Sequence, residues 1–257
     1  MLRLIVSPAK TVVPEEGPLP LGEPAFLAEA EALTERLRSM DRDALQRLWR
    51  TSDALTGKAL AALDAWSPAG GGAAVLSYRG IQYTAMAPSV MTDGQLSYLG
   101  EHLRILSGLY GVLRPFDAVA PYRLEMGARL GAGAAGWDGS GCRDLYGFWG
   151  ARPAEEVFPE GEGLLVNVAS KEYARAVVPR LAPGVRCVTC LFGTVADDGG
   201  WVQRATEAKR ARGTFVAWCA ERGVGTEEEL AAFDRGGYAL DRTRSADDGT
   251  TLVFTRR

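Results

Sequence analysis

Apolar positions along this chain recur in two alternating patterns, and the switches between them predict its elements. Leu2 to Val6 is a short run with branched residues, which predicts a buried first strand handing over to the loop Ser7-Pro8-Ala9-Lys10. Residues 11–23 are rich in proline, glycine and glutamate and predict loop. From residue 24 to about residue 66 the spacing turns helical. Leu27, Leu33, Leu37 and Met40 come first, then Leu45, Leu48 and Trp49 after Asp41 as N-cap, then Leu55, Leu60 and Leu63 after Asp53 as a second cap. This block shows no chemistry and is read as scaffold. Residues 67–72 break the pattern and residues 73–76 predict a short strand. Thr92 or Asp93 then caps a helix through Leu96, Leu99 and Leu103.

In the second half, residues 131–141 predict a glycine-rich exposed loop, and residues 143–150 a short helix whose rings face the core, with base stacking as the lesser reading. Residues 164–169 carry the clearest strand signal and end in Ser170-Lys171-Glu172-Tyr173, where Ser170 is placed to cap a helix through Val177. A strand, a tight turn and a helix start make a common anion-binding edge, and this one groups Asn167, Ser170 and Lys171. Residues 185–194 alternate like a strand, and residues 201–204 pair with it across Asp197-Asp198-Gly199-Gly200. The helix over residues 205–221 turns Phe215, Val216 and Cys219 inward and puts Lys209 and Arg212 on one face. Thr226 caps a last helix to Phe233, and residues 237–241 and 250–254 close as a hairpin. No internal repeat or long linker divides the chain, so residues 1–257 are read as one α+β domain with a mixed sheet and flanking helices.

Composition narrows the chemistry. Apolar residues make up 47% and charged residues 24% of the 257, an ordinary globular balance able to bury a real core. The apolar run at the N-terminus is too short for a signal peptide or membrane span, so a cytoplasmic protein with no membrane partner is expected. His102 is the one histidine, which excludes a histidine-based triad, a two-histidine metal site and HExxH. Four cysteines do not describe a disulfide scaffold. Cys187 and Cys190 lie three apart on a predicted strand and so face opposite ways, and neither a metal nor a cofactor is expected. The net charge of −3 is uneven: residues 15–64 and 221–249 each carry −4, whereas residues 204–212 carry +3. An acidic exterior with basic islands suits a cleft that holds an anion.

The chemistry concentrates in residues 104–127, RILSGLYGVLRPFDAVAPYRLEMG. Gly108 and Gly111 flank Leu109-Tyr110 in a spacing that suits a tight turn and close approach by another backbone or a phosphate. Arg114-Pro115 and Pro121-Tyr122-Arg123 put guanidinium groups on rigid, extended backbone. Ordinary packing accounts for Leu106, Leu109, Val112 and Leu113, but not for so many constrained cations and rings in one run. We read it as site architecture.

These residues carry a resemblance. The central stretch, with SPAK at the N-terminus and LYGFWG, LVNVASKEYARAV and AKRARG further on, resembles the YaaA family of peroxide-stress resistance proteins over nearly the whole chain and in the family's order. The resemblance implies a compact mixed α/β domain with a positively charged cleft and a helix-hairpin-helix element. It also implies DNA binding in oxidative-stress defence and a link to recombination repair. By motif it places Lys10, Arg104, Tyr110, Arg114, Tyr122, Arg123, Glu125, Asn167, Ser170, Lys171, Glu172, Lys209 and Arg212 in the site, with Gly108 and Gly111 as the phosphate-approaching hairpin. Two departures stand out: Gly100-Glu101 replaces the glutamine usual just before HLRILSG, and the chain is acidic overall. Two functions are therefore expected. One is a DNA-binding stress protein whose cations hold phosphates. The other is an enzyme acting on a nucleotide or other small anion, with Glu125, Lys171 and Tyr122 as candidate catalytic groups.

Overall fold

In the computed structural model, residues 1–130 and 142–256 are described; the glycine-rich stretch 131–141 lies outside them. Eight strands form the main sheet: β1 (Leu2–Val6), β2 (Leu103–Ser107), β3 (Gly111–Leu113), β4 (Glu162–Asn167), β5 (Gly184–Val195), β6 (Trp201–Val202), β7 (Tyr238–Leu240) and β8 (Thr251–Arg256). Their order is β7-β8-β5-β4-β1-β2-β3, with β6 hairpinned onto β5. The five central strands run parallel, and β3, β6 and β7 are antiparallel. This is an α+β fold built on a mixed sheet. β1 is buried at every residue, Arg3 included, whose guanidinium donates to the Val157 carbonyl and pairs with Glu160.

The topology fixes where a ligand can sit. From β1 the chain crosses to β2 on one side, yet β4 pairs on the other side of β1, with Ile5 opposite Asn167. Strand order therefore switches at β1, and in open parallel sheets ligands bind at the carboxyl ends beside such a switch.

Helices flank the sheet, among them α1 (Leu27–Arg38), α2 (Arg42–Trp49), α3 (Asp53–Ala65), α4 (Ile81–Met86), α5 (Asp93–His102) and α6 (Ala205–Arg222). Asp41 accepts from the Ala44 N–H as the spacing predicts, and Thr92 and Gln95 form a capping box on α5. Ser52, not Asp53, occupies the N-cap of α3, and Asp53 instead pairs with Arg42.

Further expectations change. Residues 74–77 form a helical turn and only Gly72–Ala73 pairs as strand; the Ala74 and Val75 N–H groups, which a helix start leaves free, donate to the Asp117 and Pro115 carbonyls. The helix after Ser170 ends at Ala174, and Ser170 makes no side-chain cap. Most consequentially, the Ser107–Gly111 turn joins two antiparallel strands, with Ser107 opposite Gly111. It is a β-hairpin, not a helix-hairpin-helix.

Candidate functional site

The site begins where β1 and β4 end. Ser7 Oγ accepts from the Ser170 N–H at 2.9 Å and lies 3.2 Å from Ser170 Oγ, which ties the two strand ends together. The Ser7 carbonyl accepts from Gln82 Nε2 and the Tyr83 hydroxyl, both at 3.1 Å, which brings α4 to the same edge. α6 then packs across α4 with no room to spare: a Cβ on Gly213 would overlap the Gln82 carbonyl oxygen. That contact delivers Lys209 and Arg212, one turn or less away, to the rim.

Residues 122–125 form the opposite wall. Gly108 lets this segment lie directly on the β2–β3 turn, since a Cβ there would meet the Leu124 carbonyl. Ser107 Oγ accepts from the Leu109 and Tyr110 N–H groups and bonds the Tyr122 hydroxyl at 2.8 Å. The glycine turn therefore serves the site by seating Tyr122 to Glu125. Its backbone is buried beneath them and does not face a ligand.

The result is a cleft of about 440 Å³. Five cations line it (Lys10, Arg79, Arg123, Lys209 and Arg212) against two carboxylates, Glu125 and Glu172, and Tyr83, Tyr122 and Tyr173 complete its walls. Most of these charges are spoken for. Glu125 Oε1 sits 2.8 Å from Lys10 Nζ and 3.4 Å from Arg123. Arg79 pairs with Glu15, and Glu172 accepts from the Gly127 N–H at 2.8 Å. Arg212 differs: burial holds its guanidinium below the usual range, and its Nε has no hydrogen-bond partner among the described residues. Arg123 Nε is likewise buried without a partner. Burial raises the Tyr122 hydroxyl above its ordinary range, against the opposing effect of its bonds to Ser107 and Tyr78. It is a neutral phenol at physiological pH.

Of the residues singled out in the sequence, the fold brings Lys10, Tyr122, Arg123, Glu125, Ser170, Glu172, Lys209 and Arg212 together. It holds others away. Arg104 is buried on β2, where it donates to the carbonyls of Gly100, Glu101 and Leu103, and burial lowers it to about 10. Arg114 pairs with Glu156 at 3.2 Å outside the cleft. The Tyr110 hydroxyl is buried between Trp66 Nε1 and the Ala120 N–H. Asn167 is occupied by Thr189 and the Ala169 N–H. Lys171 is exposed and does not line the cleft. Gly108 and Gly111 lie in the packed turn, with Trp149 against Gly111. The sequence reading does not assign Arg79, Gln82, Tyr83 or Tyr173 to the site, although all four line the cleft. Tyr78-Arg79-Gly80, a ring and a cation beside a glycine, was the visible signal for the first of them. Among the described residues no cluster of three or more metal-ligating side chains occurs, and no helix is long and apolar enough to cross a membrane.

Fold and cleft together define an α+β protein with a cation-rich cavity at the carboxyl edge of a mixed sheet. A family model described as peroxide stress protein YaaA matches residues 1–244. A UPF0246 protein of Limosilactobacillus fermentum is 42% identical over 239 residues, 92% of this chain and 93% of the relative. Another, from Lactobacillus delbrueckii subsp. bulgaricus, is 38% identical over 256 residues and covers both chains fully. A third, from Lachnoclostridium phytofermentans, is 37% identical over 259 residues, 99% of this chain and 96% of its own. The chain belongs to the YaaA family of peroxide stress proteins, also named UPF0246.

Proposed function

We propose that this protein acts in the peroxide stress response by binding DNA, holding backbone phosphates in the cation-lined cleft. The observation that carries this reading is Arg212, a largely buried guanidinium with no counter-ion among the described residues, which lines a cavity together with Lys209 and Arg123, whose Nε has no partner among them either. Burying a charge is unfavourable unless it is paired, and a phosphate supplies both the charge and the acceptor. The phosphate-holding set is Lys10, Arg79, Arg123, Lys209 and Arg212, which share one cavity. Concentrating them in an otherwise acidic molecule confines attraction to this edge. The test is duplex and junction DNA binding across a salt series. Replacing Lys209 and Arg212 by alanine should weaken binding and flatten the log affinity–log salt slope by about 1.8, at about 0.9 per duplex phosphate contact. An unchanged slope overturns the assignment.

Glu125 favours a second reading, an enzyme acting on a nucleotide or other small anion in the same cavity. Its carboxylate sits between Lys10 and Arg123 and faces the cleft, an arrangement that orients a substrate or accepts a proton. Glu125→Gln separates the two. A binding module keeps or gains DNA affinity as Lys10 and Arg123 are released, whereas an enzyme keeps its ligand and loses turnover.

A further inference from the structure

A second cavity, of about 420 Å³, meets the first at Glu125 and Glu172, which line both. It is floored by Met40 and Leu48 and lined by Arg47, Arg50 and Arg129. All three arginines are exposed, and none forms an ion pair among the described residues. The helical block read as scaffold thus supplies two cations to a cavity.

Arg47 lies in the last turn of α2, where the helix dipole by itself favours a cation. Arg50 has no such explanation. It sits at the C-cap of α2 with φ 49° and ψ 52°, the left-handed region where glycine or asparagine is the usual choice. An arginine there gives up backbone stability, and what it offers in return is a guanidinium at the mouth of this cavity. Arg129 reaches the same space from the far end of the segment that carries Tyr122, Arg123 and Glu125.

The two cavities therefore make a track with cations at both ends and a carboxylate neck between them. A phosphate is repelled at the neck and attracted in either lobe, and the apolar floor suits a sugar or base. We propose that a single nucleic-acid strand lies along both lobes, with phosphates held by Lys209, Arg212 and Arg123 on one side and by Arg47, Arg50 and Arg129 on the other. A nucleoside unit crosses between Glu125 and Glu172. This rests on the DNA-binding reading above and extends it from one phosphate site to a strand path.

The experiment is fluorescence anisotropy with labelled oligothymidylates of about 2 and about 16 nucleotides over a salt series, on the full-length protein. The protein as it stands should bind the longer strand more tightly than the shorter. Replacing Arg47, Arg50 and Arg129 together by alanine should weaken long-strand binding at least about tenfold and reduce the salt slope by about 2, at about 0.7 per single-strand contact. Binding of the short strand, which one lobe accommodates, should stay close to that of the unaltered protein. Arg50→Gly alone guards against misfolding: glycine suits the left-handed position, so its Tm should hold or rise while long-strand affinity falls about three- to tenfold. If the triple variant keeps full long-strand affinity and slope while Lys209→Ala/Arg212→Ala loses them, the strand does not enter the second lobe and this inference fails with the DNA reading intact. If the unaltered protein binds duplex DNA but no oligothymidylate, this inference fails with the DNA reading intact; if it binds neither, both fail.

Discussion

Two aromatic clusters of this protein are built on opposite principles. On one side of α6, Phe192 touches Phe215, Phe233, Tyr238 and Phe254, with centroids 5.4–5.9 Å apart, and Trp218 closes the group against Phe215 and Phe233. The four phenylalanines are fully buried and bring no polar atom of their own side chains. The other group holds Trp66, Tyr110 and Tyr122 in successive ring contact and Tyr78 against Tyr83, the two runs joined by the Tyr122–Tyr78 hydroxyl bond; their polar tips bond one another, the backbone or Ser107. The phenylalanines gain stability from area alone and tolerate any orientation that packs. The second cluster fixes direction, because each hydroxyl accepts only certain positions for its neighbour. A binding wall needs the second kind.

The comparison breaks most visibly in the phenylalanine cluster. Phe192→Ala should remove about 3–5 kcal/mol, through lost transfer energy and an uncollapsed cavity, read as a fall in the urea midpoint. In whatever fraction remains folded, DNA affinity should match the unaltered protein, since Phe192 does not line the cleft.

Gly213→Ala tests what joins the two regions, because α6 carries Phe215 into the one and Arg212 to the other. The added methyl meets the Gln82 backbone, so α6 or α4 has to shift. A loss of about 1–3 kcal/mol is expected from overpacking. Unlike the phenylalanine change, it should also weaken DNA binding, measured by anisotropy on folded protein.

Alkali weighs on the clusters unequally without mutation, since the first holds one phenol raised by burial, Tyr238, and the second holds four. Burial raises the phenols of Tyr78, Tyr83, Tyr110 and Tyr122 above the ordinary value of 10.0. Below about pH 10 each phenol is neutral in both states, so its contribution is fully present. Above it the unfolded chain ionises while the folded one does not, so the unfolded state binds fewer protons and stability falls. The expected slope is about 1.4 kcal/mol per pH unit per tyrosine, seen as a falling denaturant midpoint above pH 10.

How much of this was legible in the sequence follows from which forces are local. β1, β4, β5 and the closing hairpin announce themselves as apolar runs, and the capping boxes at Thr92 and Thr226 follow from residues three apart. Strand order does not announce itself, because the placing of β4 beside β1 depends on residues far apart in sequence. The LSGLYG turn misled for a specific reason: closely spaced glycines suit a hairpin between helices or between strands, and only the partner strand decides. Arg104 and Arg123 are equally suggestive as text. One lies mid-strand and satisfies local carbonyls, and the other follows a proline into the cleft wall. Arg50 was invisible because its signal is a backbone angle, not a spacing.

The sharpest test of the contrast is also the smallest. Tyr122→Phe removes one hydroxyl that sits 2.8 Å from both the Tyr78 hydroxyl and Ser107 Oγ, and leaves the ring in place. Ser107 keeps its bonds from the Leu109 and Tyr110 N–H groups, so the hairpin turn survives. Tyr78, fully buried, is left with an unsatisfied hydroxyl, and about 1–2 kcal/mol should be lost. The alkaline slope should become shallower by about one tyrosine's share, 1.4 kcal/mol per pH unit, because one phenol with a raised pKa is gone. If stability and slope both stay as they were, the hydroxyl chain does not fix the wall, and the two clusters differ in composition but not in principle.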